Sequence, residues 1–323
     1  MTNPPLLIGD IGGTNARFAL STNVQPHFQL AQTFQCADFI SINDAIDAYL
    51  SAHNIKKLAA IYLAVAGPII DGNVKLTNNH WRVETNKLKE KFGLSEVHLV
   101  NDFSAIALSL TTMTADNLLS IGGEWDFNPN NNFNVAAIGP GSGLGVSGLI
   151  NNDHKITPIV TEGGHSGFAP ETKLQSEIYR ILQKKFDRIS IEHVLSGPGL
   201  INIHQSLCTI NSQNSCGLSA AQIASEGTQG DDEICHKTMD LFFEILGQVA
   251  GDIALLQGAQ QGVFIAGGIT QRYPEYLQRS NFRRGFENKG PGQNLMTSIP
   301  TWLIKRKNPG LVGCSVLAQK NTS

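Results

Sequence analysis

Two short apolar runs, Leu6 to Gly9 and Ala16 to Leu20, flank Asp10-Ile-Gly-Gly-Thr-Asn15 and read as a hairpin whose turn is nearly bare of large side chains. The same arrangement returns as Val135 to Gly139, then Pro-Gly-Ser-Gly, then Leu144 to Ile150. Ile8-Gly9-Asp10-Ile11-Gly12-Gly13 and Ile138-Gly139-Pro140-Gly141-Ser142-Gly143 share strand, turn and glycine placement, which predicts a duplicated half with Asp10 standing against Pro140. A turn without side chains lets backbone N–H groups meet phosphate oxygens, so two such hairpins suggest a phosphate clamp. Neither is a Walker loop, because no G-K-[ST] follows. The G-x-G-x-x-G spacing of Gly143, Gly145 and Gly148 runs into a strand instead of opening a helix, which argues against a dinucleotide site. A carboxylate beside a phosphate turn repels its ligand unless a cation intervenes. Asp10 is therefore either a Mg²⁺ partner, directly or through water, or a turn aspartate bonded to its own backbone.

Strands and helices alternate along the rest of the chain, as a mixed α/β sheet requires. Strands are expected at Leu58 to Ala66, Val97 to Val100, Gly262 to Ala266 and Trp302 to Lys305, and helices at Asp44 to Ala52, Phe103 to Leu110 and Glu171 to Phe186. In Asp232 to Gln257 the residues Ile234, Leu241, Phe242, Ile245, Leu246, Val249, Ile253 and Leu256 keep helical spacing, with Asp240, Glu244, Gln248 and Asp252 off that stripe. The pattern is that of a core helix. A last helix after Asn308-Pro-Gly is expected to return to the first domain.

The length of 323 residues, 41% of them apolar, suffices for two domains without disulfides. The net charge of −3 is spread along the chain, which leaves no electrostatic footprint for nucleic acid or an anionic membrane. Five scattered cysteines, Cys36, Cys208, Cys216, Cys235 and Cys314, fit neither a disulfide framework nor a zinc site and read as reduced thiols. With no positive n-region, cleavage site or membrane-length apolar run, the expected compartment is the cytoplasm.

Six segments then occur in a telling order: Ile8-Gly-Asp-Ile-Gly-Gly-Thr-Asn-Ala-Arg-Phe18, Leu99-Val-Asn-Asp-Phe103, Gly141-Ser-Gly-Leu-Gly-Val146, Glu162-Gly-Gly-His165, Leu195-Ser-Gly-Pro-Gly-Leu200 and Phe264-Ile-Ala-Gly-Gly-Ile269. Together they resemble the bacterial glucokinase family, from about residue 6 to 318. The resemblance implies a duplicated α/β fold of the hexokinase and actin-like ATPase superfamily, with two domains around a central cleft: a small domain of 1–112 plus 301–323 and a large one of 113–300. It implies a kinase that uses ATP and Mg²⁺ to phosphorylate the 6-hydroxyl of glucose, and a homodimer. By position, Asp102 resembles the catalytic base. Asn101, Glu162, His165 and Glu192 resemble sugar ligands, together with Asp102. Asp10, Gly12, Gly13, Thr14 and Asn15 resemble the first phosphate turn, Gly141, Ser142 and Gly143 the second, and Gly267 and Gly268 the segment beside the adenosine.

Each of these residues also has a plainer reading. Asp102 suits a helix N-cap, Glu192 the positive end of a helix, and His165 a surface or capping position. The cysteine-rich zinc motif of the repressor-related (ROK) sugar kinases is absent, and Ser142 replaces the threonine of many relatives. Competing expectations are a kinase for another hexose or N-acetylhexosamine, and a non-catalytic sugar sensor on the same scaffold. The sensor is disfavoured because the first hairpin starts within ten residues of the N-terminus and Asp102 is intact.

Overall fold

A computed structural model describes residues 4–21, 27–76, 79–124, 127–214 and 217–320. Contacts divide the chain into two compact units, one of Met1–Thr114, Thr157–Val160 and Arg306–Ser323, the other of Ala115–Ile156 and Thr161–Lys305.

In the first unit β1 (Leu6–Ile11) and β2 (Asn15–Ser21) pair antiparallel, with Asp10 opposite Arg17, and β3 (Phe28–Gln35) extends the meander. α1 (Ile42–Ala52) starts on a capping box in which Asp44 N donates to Ser41 Oγ and Ser41 N donates to the Asp44 carboxylate. β4 (Ile61–Val65) pairs parallel with β1. β5 (Asn73–Lys75) and β6 (Arg82–Glu84) form a separate ribbon before α2 (Thr85–Phe92). β7 (Val97–Asn101) pairs parallel with β4 and runs straight into α3 (Asp102–Ser109), completing a sheet of order β3-β2-β1-β4-β7. β1 is buried on both faces, as the central strand of a covered sheet must be. Leu7 and Ile11 join Phe18, Tyr49 and Trp81 on one side, and Leu6 and Ile8 join Tyr62 and Ala105 on the other.

The second unit opens with β8 (Leu118–Gly122), β9 (Phe133–Pro140) and β10 (Leu144–Asn152), followed by β11 (Lys155–Val160), of which Lys155 and Ile156 fall in this unit. Four helices follow: α4 (Lys173–Leu182), α5 (Gly197–Ile210), α6 (Ala220–Gln229) and α7 (Glu233–Gln257). Then come β12 (Val263–Ile265), α8 (Gly268–Arg272), α9 (Pro274–Arg279), α10 (Phe282–Glu287), α11 (Gln293–Ser298) and β13 (Thr301–Ile304). The sheet order is β11-β10-β9-β12-β13-β8, with β9–β10 antiparallel and β12 parallel to both β9 and β13. The chain then returns to the first unit as α12 (Pro309–Lys320), whose Leu311, Cys314 and Ala318 cover the Leu6–Ile8 face of β1.

Three expectations need correction. The strand over Thr301–Ile304 pairs within the six-stranded sheet, and the return to the first unit falls at Arg306 instead of at 301. Leu256, assigned to the buried stripe of α7, is 86% exposed, because it sits in the last turn beyond the packed length of the helix. Gln248, assigned to the polar side, is buried and donates from Nε2 to Ala169 O at 2.7 Å, so its amide finds its partner inside the protein. Cys36, Cys208, Cys235 and Cys314 are buried. Cys216 lies outside the described residues.

α12 crosses α3 so closely that a Cβ at Gly313 would land on the carbonyl oxygen of Ala105. Backbone cannot yield as a flexible side chain does, so Gly313→Ala is expected to cost about 1–3 kcal/mol. Thermal unfolding of the variant checks this, with an expected fall in midpoint of at least about 2 °C.

Candidate active site

The first glycine turn leaves the sheet at the carboxyl end of β1. Gly12 N donates to Asn15 O at 2.9 Å and closes the turn. Cys36 N donates to Thr14 O at 2.9 Å, Gln35 Nε2 to Asn15 Oδ1 at 2.8 Å and Asn79 Nδ2 to Gly12 O at 3.2 Å. A cavity of about 390 Å³ opens on this turn, lined by Gly13, Thr14, Cys36, Ala37, Asn79 and His80. A Cβ on Gly12 would meet only Asn15 O, at an ordinary 3.6 Å. The protein's own packing therefore does not demand the glycine, whose bareness keeps a surface open.

Asp10, the last polar residue before the turn, pairs across the hairpin with Arg17 at 3.5 Å, a partner that neither sequence-based reading named. Burial pushes the Asp10 carboxyl above its usual range, and the Arg17 guanidinium pulls it back down. Gly310, in the first turn of α12, lies against the same carboxylate, where a Cβ would come within 2.9 Å of Asp10 Cγ. The positive end of that helix favours the charged form. Among the described residues no group of three or more His, Cys, Asp or Glu side chains could hold a metal ion. One carboxylate beside a phosphate-sized turn instead fits a Mg²⁺ ion that takes most of its ligands from water and nucleotide.

Asn101 and Asp102 sit where β7 becomes α3. Asn101 is the N-cap, its Oδ1 accepting from Ser104 N at 3.1 Å, so the capping role considered for Asp102 belongs to its neighbour. Asp102, half-buried at the first helical position, has its Oδ1 accepting from Phe103 N at 2.9 Å, which orients the carboxylate. Ile11 is opposite Val65, and Val65 opposite Asn101, so the glycine turn and Asp102 leave one sheet edge on either side of β4. Two interstrand spacings put them about 10 Å apart.

The second unit gathers the other expected residues at the carboxyl ends of β9 and β12. Gly141 N donates to Gly143 O at 2.8 Å, and Gly197 N, at the start of α5, donates to Gly141 O at 2.8 Å. Glu192 Oε2 accepts from Leu144 N at 2.7 Å, directly after the turn. A Cβ at Gly143 would be 2.5 Å from that oxygen, so glycine is required here for the carboxylate to approach. Glu162 precedes and His165 ends a single 3₁₀ turn, Gly163–His165, in which Gly164 is so close to β10 that a Cβ would strike Leu144 O. Both side chains are exposed. Arg188 Nη1 donates to His165 O at 2.7 Å and Ile191 N to Ser166 O at 2.9 Å, which ties the Glu162–His165 turn to the segment carrying Glu192. Gly267, at φ 95°, abuts the carbonyl of Pro140, whereas Ser142 is exposed and Gly141 and Gly268 have open space where a Cβ would go. The glycines thus divide into those the protein's packing consumes, Gly143 and Gly267, and those left bare, Gly12, Gly141 and Gly268.

The glucokinase family model matches residues 7–321. The chain belongs to the glucokinase family. A glucokinase of Caulobacter sp. (strain K31) is 39% identical over 317 residues, covering 96% of this chain and 94% of the relative. One of Hahella chejuensis (strain KCTC 2396) is 36% identical over 309 residues, covering 96% and 95%. The crystal structure of a glucokinase from an Antarctic psychrotroph superposes with a TM-score of 0.85 at 34% identity, covering 99% of this chain and 100% of that one.

Arg17 and Asn79, beside the first glycine turn, and Ser196, beside the second, were not singled out from the sequence. Arg17 was detectable, since counting register outward from the turn sets it opposite Asp10. Ser196 caps α5 by accepting from Gly199 N at 3.0 Å, ahead of Pro198, a start signal hidden inside a glycine motif. Asn79 is far from the turn in sequence and carries no local signature.

Replacing Glu192 by Ala leaves Leu144 N without its charged acceptor, and the expected cost is about 1–2 kcal/mol in urea unfolding. Glu192→Gln retains an acceptor oxygen and is expected to recover at least half of that loss.

Proposed function

We propose that the chain is an ATP-dependent glucokinase, transferring the γ-phosphoryl group of ATP to the 6-hydroxyl of glucose to give glucose 6-phosphate and ADP. The observation that carries the chemistry is Asp102, relieved of capping by Asn101 and oriented at the same sheet edge as a bare glycine turn. The Asp102 carboxylate takes the proton of O6 as that oxygen attacks the γ-phosphorus. The bond from the γ-phosphorus to the bridging oxygen breaks, and its electron pair leaves with ADP. Asn101, Glu162, His165 and Glu192 fix the sugar hydroxyls. The amides of the Gly12–Asn15 and Gly141–Gly143 turns hold the phosphates, and Gly267 and Gly268 let the adenosine approach the backbone. Asp10 would hold Mg²⁺, which would supply neutralisation of phosphate charge. Most of the rate then comes from positioning and electrostatics, to which general base catalysis adds roughly 10²- to 10⁴-fold.

The fold reading goes further than a mixed α/β description. β3-β2-β1-β4-β7 and β11-β10-β9-β12-β13 follow one sequence of pairings, with an antiparallel glycine hairpin in the same place and two parallel strands beyond it. That correspondence supports a duplicated actin-like ATPase fold. A cytoplasmic homodimer is inferred with the family.

Asp102→Asn is expected to lower kcat at least about 100-fold while glucose KM moves less than about threefold, measured by coupled ADP release. A near-normal kcat would remove Asp102 as the base. In the same assay glucose is expected to exceed mannose and N-acetylglucosamine in kcat/KM, and the reverse ranking would reassign the substrate.

A further inference from the structure

The Gly12–Gly13 peptide is the link in the first turn on which phosphate binding depends most. A trans peptide points its C=O and N–H in opposite directions, so the way Gly12 O faces decides where Gly13 N–H faces. Two successive glycines lack the Cβ atoms that would penalise a flipped peptide. A flip would present a carbonyl oxygen to a phosphate, replacing attraction with repulsion.

Asn79 Nδ2 donates to Gly12 O at 3.2 Å, on the wall of the cavity that opens at Gly13 and Thr14. The orientation of its amide follows from its partners. Trp81 N can only donate and is bound by Oδ1 at 2.9 Å, while Gly12 O can only accept and is bound by Nδ2. Asn79 is itself anchored, because Trp81 is buried and donates from Nε1 to Phe39 O at 3.1 Å, the carbonyl that His80 Nε2 also meets at 2.9 Å. A few residues earlier in the same stretch, Cys36 N holds Thr14 O. The turn is therefore gripped by two of its carbonyls. The second unit performs the same task with backbone alone, Gly197 N holding Gly141 O at 2.8 Å.

We propose that Asn79 is a positioning residue for the nucleotide, which by holding the Gly12 carbonyl aims the Gly13 N–H at a phosphate oxygen. The inference rests on the reading of the first hairpin as a phosphate turn, and the test separates the two. Calorimetric titration with AMPPNP, a non-hydrolysable ATP analogue, and steady-state kinetics are run on the full-length variants Asn79→Ala, Asn79→Asp and Gly12→Val. Asn79→Ala removes the bond to Gly12 O together with the one from Trp81 N, and is expected to weaken AMPPNP and raise the KM for ATP by roughly 3- to 10-fold, with glucose KM changed less than about twofold. Asn79→Asp keeps the acceptor for Trp81 N and the shape of the side chain, and turns the donor into an acceptor facing a carbonyl. It is expected to lose more than Asn79→Ala, and it stands in for that variant should the latter melt early. Wild-type affinity for AMPPNP in Asn79→Asp, or a loss that falls on glucose KM instead, overturns the proposal. If Gly12→Val weakens AMPPNP while the Asn79 variants do not, the turn remains the phosphate site and Asn79 has no part in it. If Gly12→Val also binds normally, the hairpin reading fails and the proposal falls with it.

Discussion

A turn made of glycines can offer its amides to an anion only if its carbonyls are occupied elsewhere, and the loops of both units are arranged around that requirement. In the first unit the fasteners are Asn79 and Cys36, which hold the carbonyl oxygens of Gly12 and Thr14, while Gly12 N holds that of Asn15 and Gln35 holds the Asn15 side chain. In the second they are Gly197, at the head of α5, and the turn's own Gly141–Gly143 bond. Apart from the Gly12–Asn15 and Gly141–Gly143 bonds, each fastener comes from a segment well removed in sequence, so the turns take much of their geometry from the folded core instead of from local preference. Bare glycine supplies the opening, and tertiary contacts supply the rigidity that glycine lacks.

The junction of β7 and α3 shows how adjacent residues divide two tasks that a single residue performs poorly. Asn101 satisfies the orphan N–H of Ser104, and its neighbour Asp102 is left at the first helical position with a carboxylate oriented by one backbone N–H. With the cap one residue back, Asp102 stands at the sheet edge with its carboxylate oriented by the amide of Phe103. Asp10 is managed in another way, by Arg17 across the hairpin and by the positive end of α12 beneath it.

Much of this was legible from periodicity and turn chemistry. The strands β1, β2, β4, β7, β9 and β10 are apolar runs punctuated by glycine or Asn-Asp, and those signals act over a few residues. β3 escaped notice because Phe28–Gln35 is an edge strand with mostly exposed residues and no alternation to betray it. α5 was missed because Gly-Pro-Gly reads as a loop until Ser196 is recognised as its cap. The end of α7 was misjudged because helical spacing continues through Leu256 after the packing partners have run out. The Glu192–Leu144 and Asn79–Gly12 contacts join segments distant in sequence, and no local pattern encodes such pairs.

The path of the chain has a consequence for biosynthesis. The first unit is complete only when α12 arrives, because Leu311, Cys314 and Ala318 cover Leu6, Ile8, Ala19 and Tyr62, residues made long before it. The second unit is continuous in sequence over almost its whole length and has no such dependence. On the ribosome, the later-made unit can therefore finish first, while one face of the earlier sheet stays wet until α12 emerges. Nascent chains halted before residue 309 carry that apolar face uncovered, a natural target for holdase chaperones.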